Sequence, residues 1–220
     1  MGVERVGVLV KFCGLTRDTD AAYAVSLGAA YVGVVFAESP RRVDPAAAAT
    51  VVAPARGHAK AVGVFGPSPA EAIARIAGEA ALDVVQLHGD PSPLLVERTR
   101  ALFGGEIWAV VRIEGATIPP ELSALATAAD AVVLDAKHPG RLGGTGTAFD
   151  WASVARTLDR RGARIVLAGG LDPSNVARAV RLVAPDVVDV SSGVERAPGI
   201  KDHARMRAFT EAVRGRGASE

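Results

Sequence analysis

Val8-Leu9-Val10-Lys11-Phe12-Cys13-Gly14-Leu15-Thr16 is the stretch from which the chain is read. It has the pattern of a short buried strand that stops on Cys13, where Gly14 lets the backbone leave the sheet and Thr16-Arg17-Asp18 opens a helix. Alternation puts Leu9, Lys11 and Cys13 on one face and Val8, Val10 and Phe12 on the other. A lysine and the only cysteine of the chain therefore share a face, and the thiol stands at the strand's carboxyl end. In parallel α/β folds that end is where ligands bind. Taken alone, the strand favours a plainer reading, a free cysteine packed as a small hydrophobe.

The same strand–turn–helix unit recurs outward from this stretch without a break. Strands are predicted at Val6–Cys13, Tyr31–Phe36, Lys60–Phe65, Asp83–Leu87, Ile107–Val111, Ala131–Asp135, Ile165–Ala168 and Val187–Val190. Helices are predicted near 18–27, 45–53, 68–77, 91–102, 119–127, 151–160, 173–182 and 202–214. Asp44-Pro45, Ser68-Pro69, Asp90-Pro91, Asp150-Trp151 and Asp172-Pro173 each offer a cap or a first-turn proline. A weak internal echo, Ala-Leu-Asp83-Val-Val, Ala-Asp130-Ala-Val-Val and Ala-Pro-Asp186-Val-Val, leads into three of the strands. Eight such units with right-handed crossovers close most economically into an α/β fold, a single (β/α)8 barrel with a parallel eight-stranded sheet. No linker divides residues 1–220, and 215–220 read as a frayed tail.

Composition narrows the function classes. Lys plus Arg is 25 against 24 Asp plus Glu, so no net field favours nucleic acid or an anionic membrane. The single cysteine excludes an internal disulfide framework and fits a reducing cytoplasm. The first residues carry no basic segment followed by an apolar core, and no apolar run reaches the roughly 18 residues of a membrane span.

A barrel directs attention to the carboxyl ends of its strands. Gly169-Gly170 after strand seven and Ser192-Gly193 after strand eight free adjacent N–H groups where barrels commonly hold phosphate. The Gly143-Gly144-Thr145-Gly146 loop after strand six can close over the same anion, so a phosphorylated small molecule is the expected partner. Cys13 and Asp135 are the strand-end groups able to move protons. In a closed barrel, strands one and six face each other across the mouth, so the two groups would flank a substrate, one as base and one as acid. One of Arg41 and Arg42 can fork onto a substrate carboxylate, the other being solvated. His88 reads equally as pocket lining and as structure; with no second histidine at ligand spacing, no metal site is expected. Lys11 and Asp189, on adjacent strands of a closed barrel, are expected to pair below the site, since an unpaired buried charge is costly.

These strand ends together resemble the phosphoribosylanthranilate isomerase family, in order and over nearly the whole chain. The resemblance rests on Val10-Lys-Phe-Cys13-Gly-Leu-Thr16, Ser39-Pro-Arg41-Arg-Val, Val85-Gln-Leu-His88-Gly and Leu134-Asp135. It continues through Gly143-Gly-Thr-Gly146 with Phe149-Asp-Trp151, Leu167-Ala-Gly-Gly170-Leu, Val190-Ser-Ser-Gly193-Val-Glu195 and Pro198-Gly-Ile-Lys-Asp202. It implies a (β/α)8 enzyme of tryptophan biosynthesis that performs an Amadori rearrangement without metal or organic cofactor. It further implies Asp135 as general acid, Cys13 as general base, Arg41 on the anthranilate carboxylate, and the last three glycine loops, with Gly144, Gly146, Gly169, Gly170, Ser192 and Gly193, as the phosphate cradle. Thr147 stands where many members carry a longer polar residue. A histidine-pathway isomerase would be expected to carry an aspartate at position 13, and a non-catalytic phosphometabolite-binding barrel would have no need of Cys13 with Asp135.

Ordinary pKa values leave only about 3% of a cysteine ionised and about 0.1% of an aspartate protonated at pH 7. The site is therefore expected to shift at least one of them. Lys11 would favour the thiolate, and apolar neighbours such as Val133 would favour neutral Asp135.

Overall fold

The structure is a computed structural model that describes residues 7–136, 150–158, 160 and 162–215. Eight parallel strands close into a barrel in sequence order. They are β1 (Leu9–Phe12), β2 (Tyr31–Val35), β3 (Lys60–Phe65), β4 (Val84–Leu87), β5 (Glu106–Ile113), β6 (Ala131–Ala136), β7 (Arg164–Leu167) and β8 (Val187–Val190). The sheet closes through β1 and β8, with Lys11 opposite Asp189. Between them run α1 (Asp18–Ser26), α2 (Pro45–Val52), α3 (Ala70–Glu79), α4 (Pro93–Leu102), α5 (Glu121–Ala128), α6 (Trp151–Thr157) and α7 (Val176–Val183), with α8 (His203–Val213) last. The predicted eight-unit barrel is the fold observed.

The two faces of each strand serve different cores. Outward residues such as Val10, Phe12, Val34, Leu87, Leu134 and Leu167 pack under the helices, and Phe12 meets Phe209 of α8 with ring centroids 6.2 Å apart. Inward residues of the lower barrel, among them Tyr31, Val62, Trp108, Val133, Val166 and Val187, fill it as a second apolar core. Above them the inward positions turn polar at Lys11, Gln86, Asp135 and Asp189, all buried. The alternation expected for β1 holds, with Lys11 inside and Phe12 outside.

The echoed aspartates prove to be a structural device. Asp83, Asp130 and Asp186 precede β4, β6 and β8, and each accepts a hydrogen bond from a backbone N–H of the preceding strand: Ala61 at 2.8 Å, Ile107 at 2.7 Å and Ile165 at 2.7 Å. Each satisfies a donor at the amino end of the barrel that would otherwise have no sheet partner.

Four expected helix starts move: α3 begins at Ala70, past Ser68-Pro69 and without a side-chain cap, and α5 at Glu121. α4 begins at Pro93, with Ser92 rather than Asp90 accepting from the first turn, while Asp90 sits at φ +49° in the loop before it. α7 begins at Val176, because Asp172 spends its carboxylate on a turn, accepting from Ser174 and Asn175 N–H. An Asp-Pro pair serves a turn as readily as a helix cap. A small hairpin after β8, β9 (Glu195–Ala197) with β10 (Ile200–Lys201), has no counterpart in the sequence reading. Part of the predicted first strand (Val6), all of the strand-six glycine loop and most of the tail lie outside the described residues.

Lys11 is fully buried. Its ammonium donates to Asp189 Oδ2 at 2.7 Å and Gln86 Oε1 at 2.9 Å, which is the ion pair expected from strand adjacency. Removing one member of such a pair strands a buried charge. Asp189→Ala should therefore destabilise the fold by about 3–5 kcal/mol. The double variant Lys11→Met/Asp189→Ala should recover a large part of that loss in a denaturant titration. A double variant no more stable than Asp189→Ala would contradict the charge-stranding account.

Candidate active site

Seven of the eight strand ends, all but that of β5, line one cleft of about 100 Å³ at the carboxyl end of the barrel. Cys13, Arg41, His88, Asp135, Gly169, Gly170, Ser191 and Ser192 line it, with Gln86 and Asp189 at its floor. Most of the residues singled out from the sequence thus converge on one site. Gly144 and Gly146 lie outside the described residues, and Gly193 sits just behind the lining. A Cβ on Gly193 would come 2.0 Å from the Leu171 carbonyl oxygen, so glycine lets the loop after β8 press against the loop after β7.

β1 delivers Cys13 because its N–H continues the ladder onto the Val190 carbonyl at 2.8 Å before Gly14 turns away at φ +69°. The thiol is buried, and burial pushes its pKa up. Lys11 and Lys201 pull it down and Asp189 pushes it up again; the balance stays above the ordinary value. Lys11 favours the thiolate, as expected, but desolvation outweighs it.

Asp135 ends β6 on the same inward face as Val133. Burial is the first cause that pushes its pKa up, to about 7, and the charge of Asp189 adds to it. The backbone N–H of Ala136, Arg112 and Lys11 act in the opposite sense. Near neutral pH this carboxyl is divided between acid and carboxylate. Gly169 allows the close approach of the next strand end, since a Cβ there would lie 2.9 Å from Asp135 Oδ1.

His88, on the loop after β4, is held neutral by burial, its pKa lowered to about 4. Its Nε2 lies 3.5 Å from Asp135 Oδ2, which is too long for a strong hydrogen bond. Both ring nitrogens are buried without a hydrogen-bond partner among the described residues. Asp189 Oδ1 is orphaned in the same way. Polar atoms left so in a cleft are suited to meet a ligand.

Arg41 lies on the cleft wall, but its fork is already engaged. Nε donates to Glu195 Oε1 at 2.8 Å and Nη2 to Oε2 at 2.6 Å. Glu195 also accepts from Lys201 Nζ at 2.8 Å, and Lys201 is fully buried. The sequence reading quoted Glu195 and Lys201 only as part of a motif, because no local period marks a pairing across 154 positions. Of Arg41 and Arg42, Arg41 lines the cleft and Arg42 does not.

This fold and this cleft define a (β/α)8 barrel enzyme with two titratable groups buried at its mouth. Residues 10–212 match the family model described as N-(5′-phosphoribosyl)anthranilate (PRA) isomerase. The Nitrosococcus oceani N-(5′-phosphoribosyl)anthranilate isomerase is 40% identical over 205 residues, covering 93% of this chain and 96% of its own. The crystal structure of phosphoribosyl anthranilate isomerase from Thermotoga maritima is similar with a TM-score of 0.83 at 34% identity, covering 94% of this chain and 99% of that one. A phosphoribosyl anthranilate isomerase solved with reduced 1-(o-carboxyphenylamino)-1-deoxyribulose 5-phosphate is similar with a TM-score of 0.80 at 32% identity, over the same shares. The chain belongs to the phosphoribosylanthranilate isomerase family.

The raised pKa of Asp135 has a consequence for stability. A carboxyl lifted from its ordinary value to about 7 by folding contributes stability that is complete below the unfolded value and is lost as pH rises to about 7. Asp135→Asn removes that loss. The stability of the variant relative to the parent should therefore grow between about pH 4 and 7, by at most about 4 kcal/mol, and stay level above pH 7. His88 acts in the opposite sense over much of that range, and comparison with the parent cancels its contribution. A relative stability independent of pH would show that Asp135 is not held protonated.

Proposed function

We propose that this chain isomerises N-(5′-phosphoribosyl)anthranilate to 1-(o-carboxyphenylamino)-1-deoxyribulose 5-phosphate in tryptophan biosynthesis, with Asp135 as general acid and Cys13 as general base. The observation that carries the assignment is the burial of both groups in one cleft, beside the Gly169, Gly170 and Ser192 loops. In this reading the backbone of those loops takes the phosphate, and Arg41 faces the anthranilate carboxylate.

Asp135 gives its proton to the ribose ring oxygen, the C1′–O bond breaks, and the open chain becomes a protonated Schiff base. The Cys13 thiolate then takes the C2′ proton, and the released electron pair neutralises the nitrogen to give an enolamine. Tautomerisation moves the proton of the C2′ hydroxyl to C1′ and leaves the ketone. Neutral His88, with both ring nitrogens unpartnered among the described residues, is available to hold a substrate hydroxyl. The cleft supplies one half of the required poise. A pKa of about 7 leaves about half of Asp135 protonated at neutral pH, against about 0.1% for an ordinary aspartate. The thiol is not helped in the same way, so the competent form, acid protonated and thiol ionised, remains a minority.

That minority has a characteristic pH dependence. With the acid's pKa below the thiol's, its share is nearly constant between the two values and falls on either side. The profile of kcat/KM should thus have its low-pH limb near 7, set by Asp135, and its high-pH limb above the ordinary cysteine range. Following the fluorescence loss of phosphoribosylanthranilate, Cys13→Ser and Asp135→Asn should each lower kcat by at least about 10²-fold with KM altered far less. Near-parental turnover by Cys13→Ser would leave the thiol as packing and overturn the mechanism.

A further inference from the structure

Arg41 is placed by its own loop and by two distant parts of the chain. Its side chain crosses Gly14, where a Cβ would lie 2.5 Å from Arg41 Cδ, and its N–H is fixed by Ser39 Oγ at 3.1 Å. Its Nε/Nη2 edge is bound at both ends by Glu195. Glu195 is itself pinned by Lys201 Nζ, which also donates to the Ser191 carbonyl at 3.1 Å. The Lys201 N–H in turn donates to Asp20 Oδ2 at 3.2 Å, and Arg17 forks the same carboxylate. An arginine held along one edge presents only its other edge, Nη1 with the second Nη2 hydrogen, to anything in the cleft.

We propose that Glu195 is a positioning residue for substrate recognition: it fixes the angle at which Arg41 offers its free edge to the substrate carboxylate. The inference rests on the reading of Arg41 as the carboxylate's partner. Burial lowers the Lys201 pKa and Glu195 opposes that; as an ammonium between its two acceptors, Lys201 gives the three groups one net positive charge, the charge a single carboxylate matches. An Arg41–Glu195 pair by itself would be neutral. The chain segment supplies a second consequence. Glu195 follows directly on the Ser192–Val194 turn, and Ser192 of that turn lines the cleft. One short segment therefore lines the cleft beside the Gly169-Gly170 loop and, through Glu195, holds Arg41. Ordering the guanidinium before substrate arrives removes side-chain freedom that binding would otherwise have to quench.

The test compares two ligands, reduced 1-(o-carboxyphenylamino)-1-deoxyribulose 5-phosphate and its phenylamino counterpart without the carboxylate, by equilibrium titration. Arg41→Ala should weaken the carboxylated ligand by about tenfold or more and leave the other nearly unchanged, collapsing the preference between them. Glu195→Gln, which keeps the size but loses the charge and one acceptor, should lower the same preference about five- to tenfold. In turnover it should raise KM with kcat changed far less. Parental binding of the phenylamino ligand is the control for a folded site. If Glu195→Gln binds neither ligand, Glu195→Asp, which retains the charge at shorter reach, decides by the same ratio. A collapsed preference in Arg41→Ala with a parental one in the Glu195 variant would overturn the role of Glu195 alone. A parental preference in Arg41→Ala would remove the reading of Arg41 on which it rests.

Discussion

An ammonium buried inside a barrel needs acceptors, and Lys11 finds them on two other strands. It donates to Asp189 Oδ2 of β8 and Gln86 Oε1 of β4, and its charge acts on the Cys13 thiol at the end of its own strand. Below it the barrel is an apolar core; above it lies the cleft. The ion pair spans the β1–β8 seam at which the sheet closes. The same charge that ties the seam thus sits directly beneath the thiol, so that closure of the fold and the electrostatics of the site share one interaction. Gly33 makes room for it: a Cβ there would stand 3.1 Å from Cys13 Sγ and 3.3 Å from Lys11 Cε.

Burial then acts in one direction on both titrating groups but serves only one of them. Desolvation raises both an acid and a thiol, but the outcomes differ in use. For Asp135 the shift leads toward the protonated form that a donor needs, and Asp189 adds to it. For Cys13 the same physics opposes the ionised form, and Lys11 and Lys201 only moderate it. Asp189 therefore has two effects at once, holding the cation near the thiol and adding negative charge near the acid. The cost of that arrangement is carried by the fold, since buried charge is stable only while each partner stays in place.

Much of this protein was legible along the chain. The eight-fold alternation of strand and helix, the faces of β1, and the strand ends at Cys13, His88, Asp135, Gly169 and Ser192 follow from periods of two and 3.6 and from turn residues. Closure in sequence order makes the first and last strands neighbours, so even the pairing of Lys11 with Asp189 was within reach. The echoed aspartates were visible as a pattern, though their purpose, accepting the unpaired N–H groups of the preceding strands, needed the sheet register. Helix starts at Asp90 and Asp172 were misplaced because capping and turn formation use the same side-chain chemistry over the same few residues.

What the sequence by itself determined is thus the architecture and the identity of the groups at the mouth of the barrel, because both depend on local periodicity and on chain order. Only the tertiary structure decided what those groups are able to do. The engagement of Arg41 by Glu195 across 154 positions, the Glu195–Lys201 contact in an unforeseen hairpin, and the opposite usefulness of burial for Asp135 and Cys13 have no local signature. Electrostatic energy and desolvation depend on distance and enclosure in space, and those quantities come into existence only when the barrel closes.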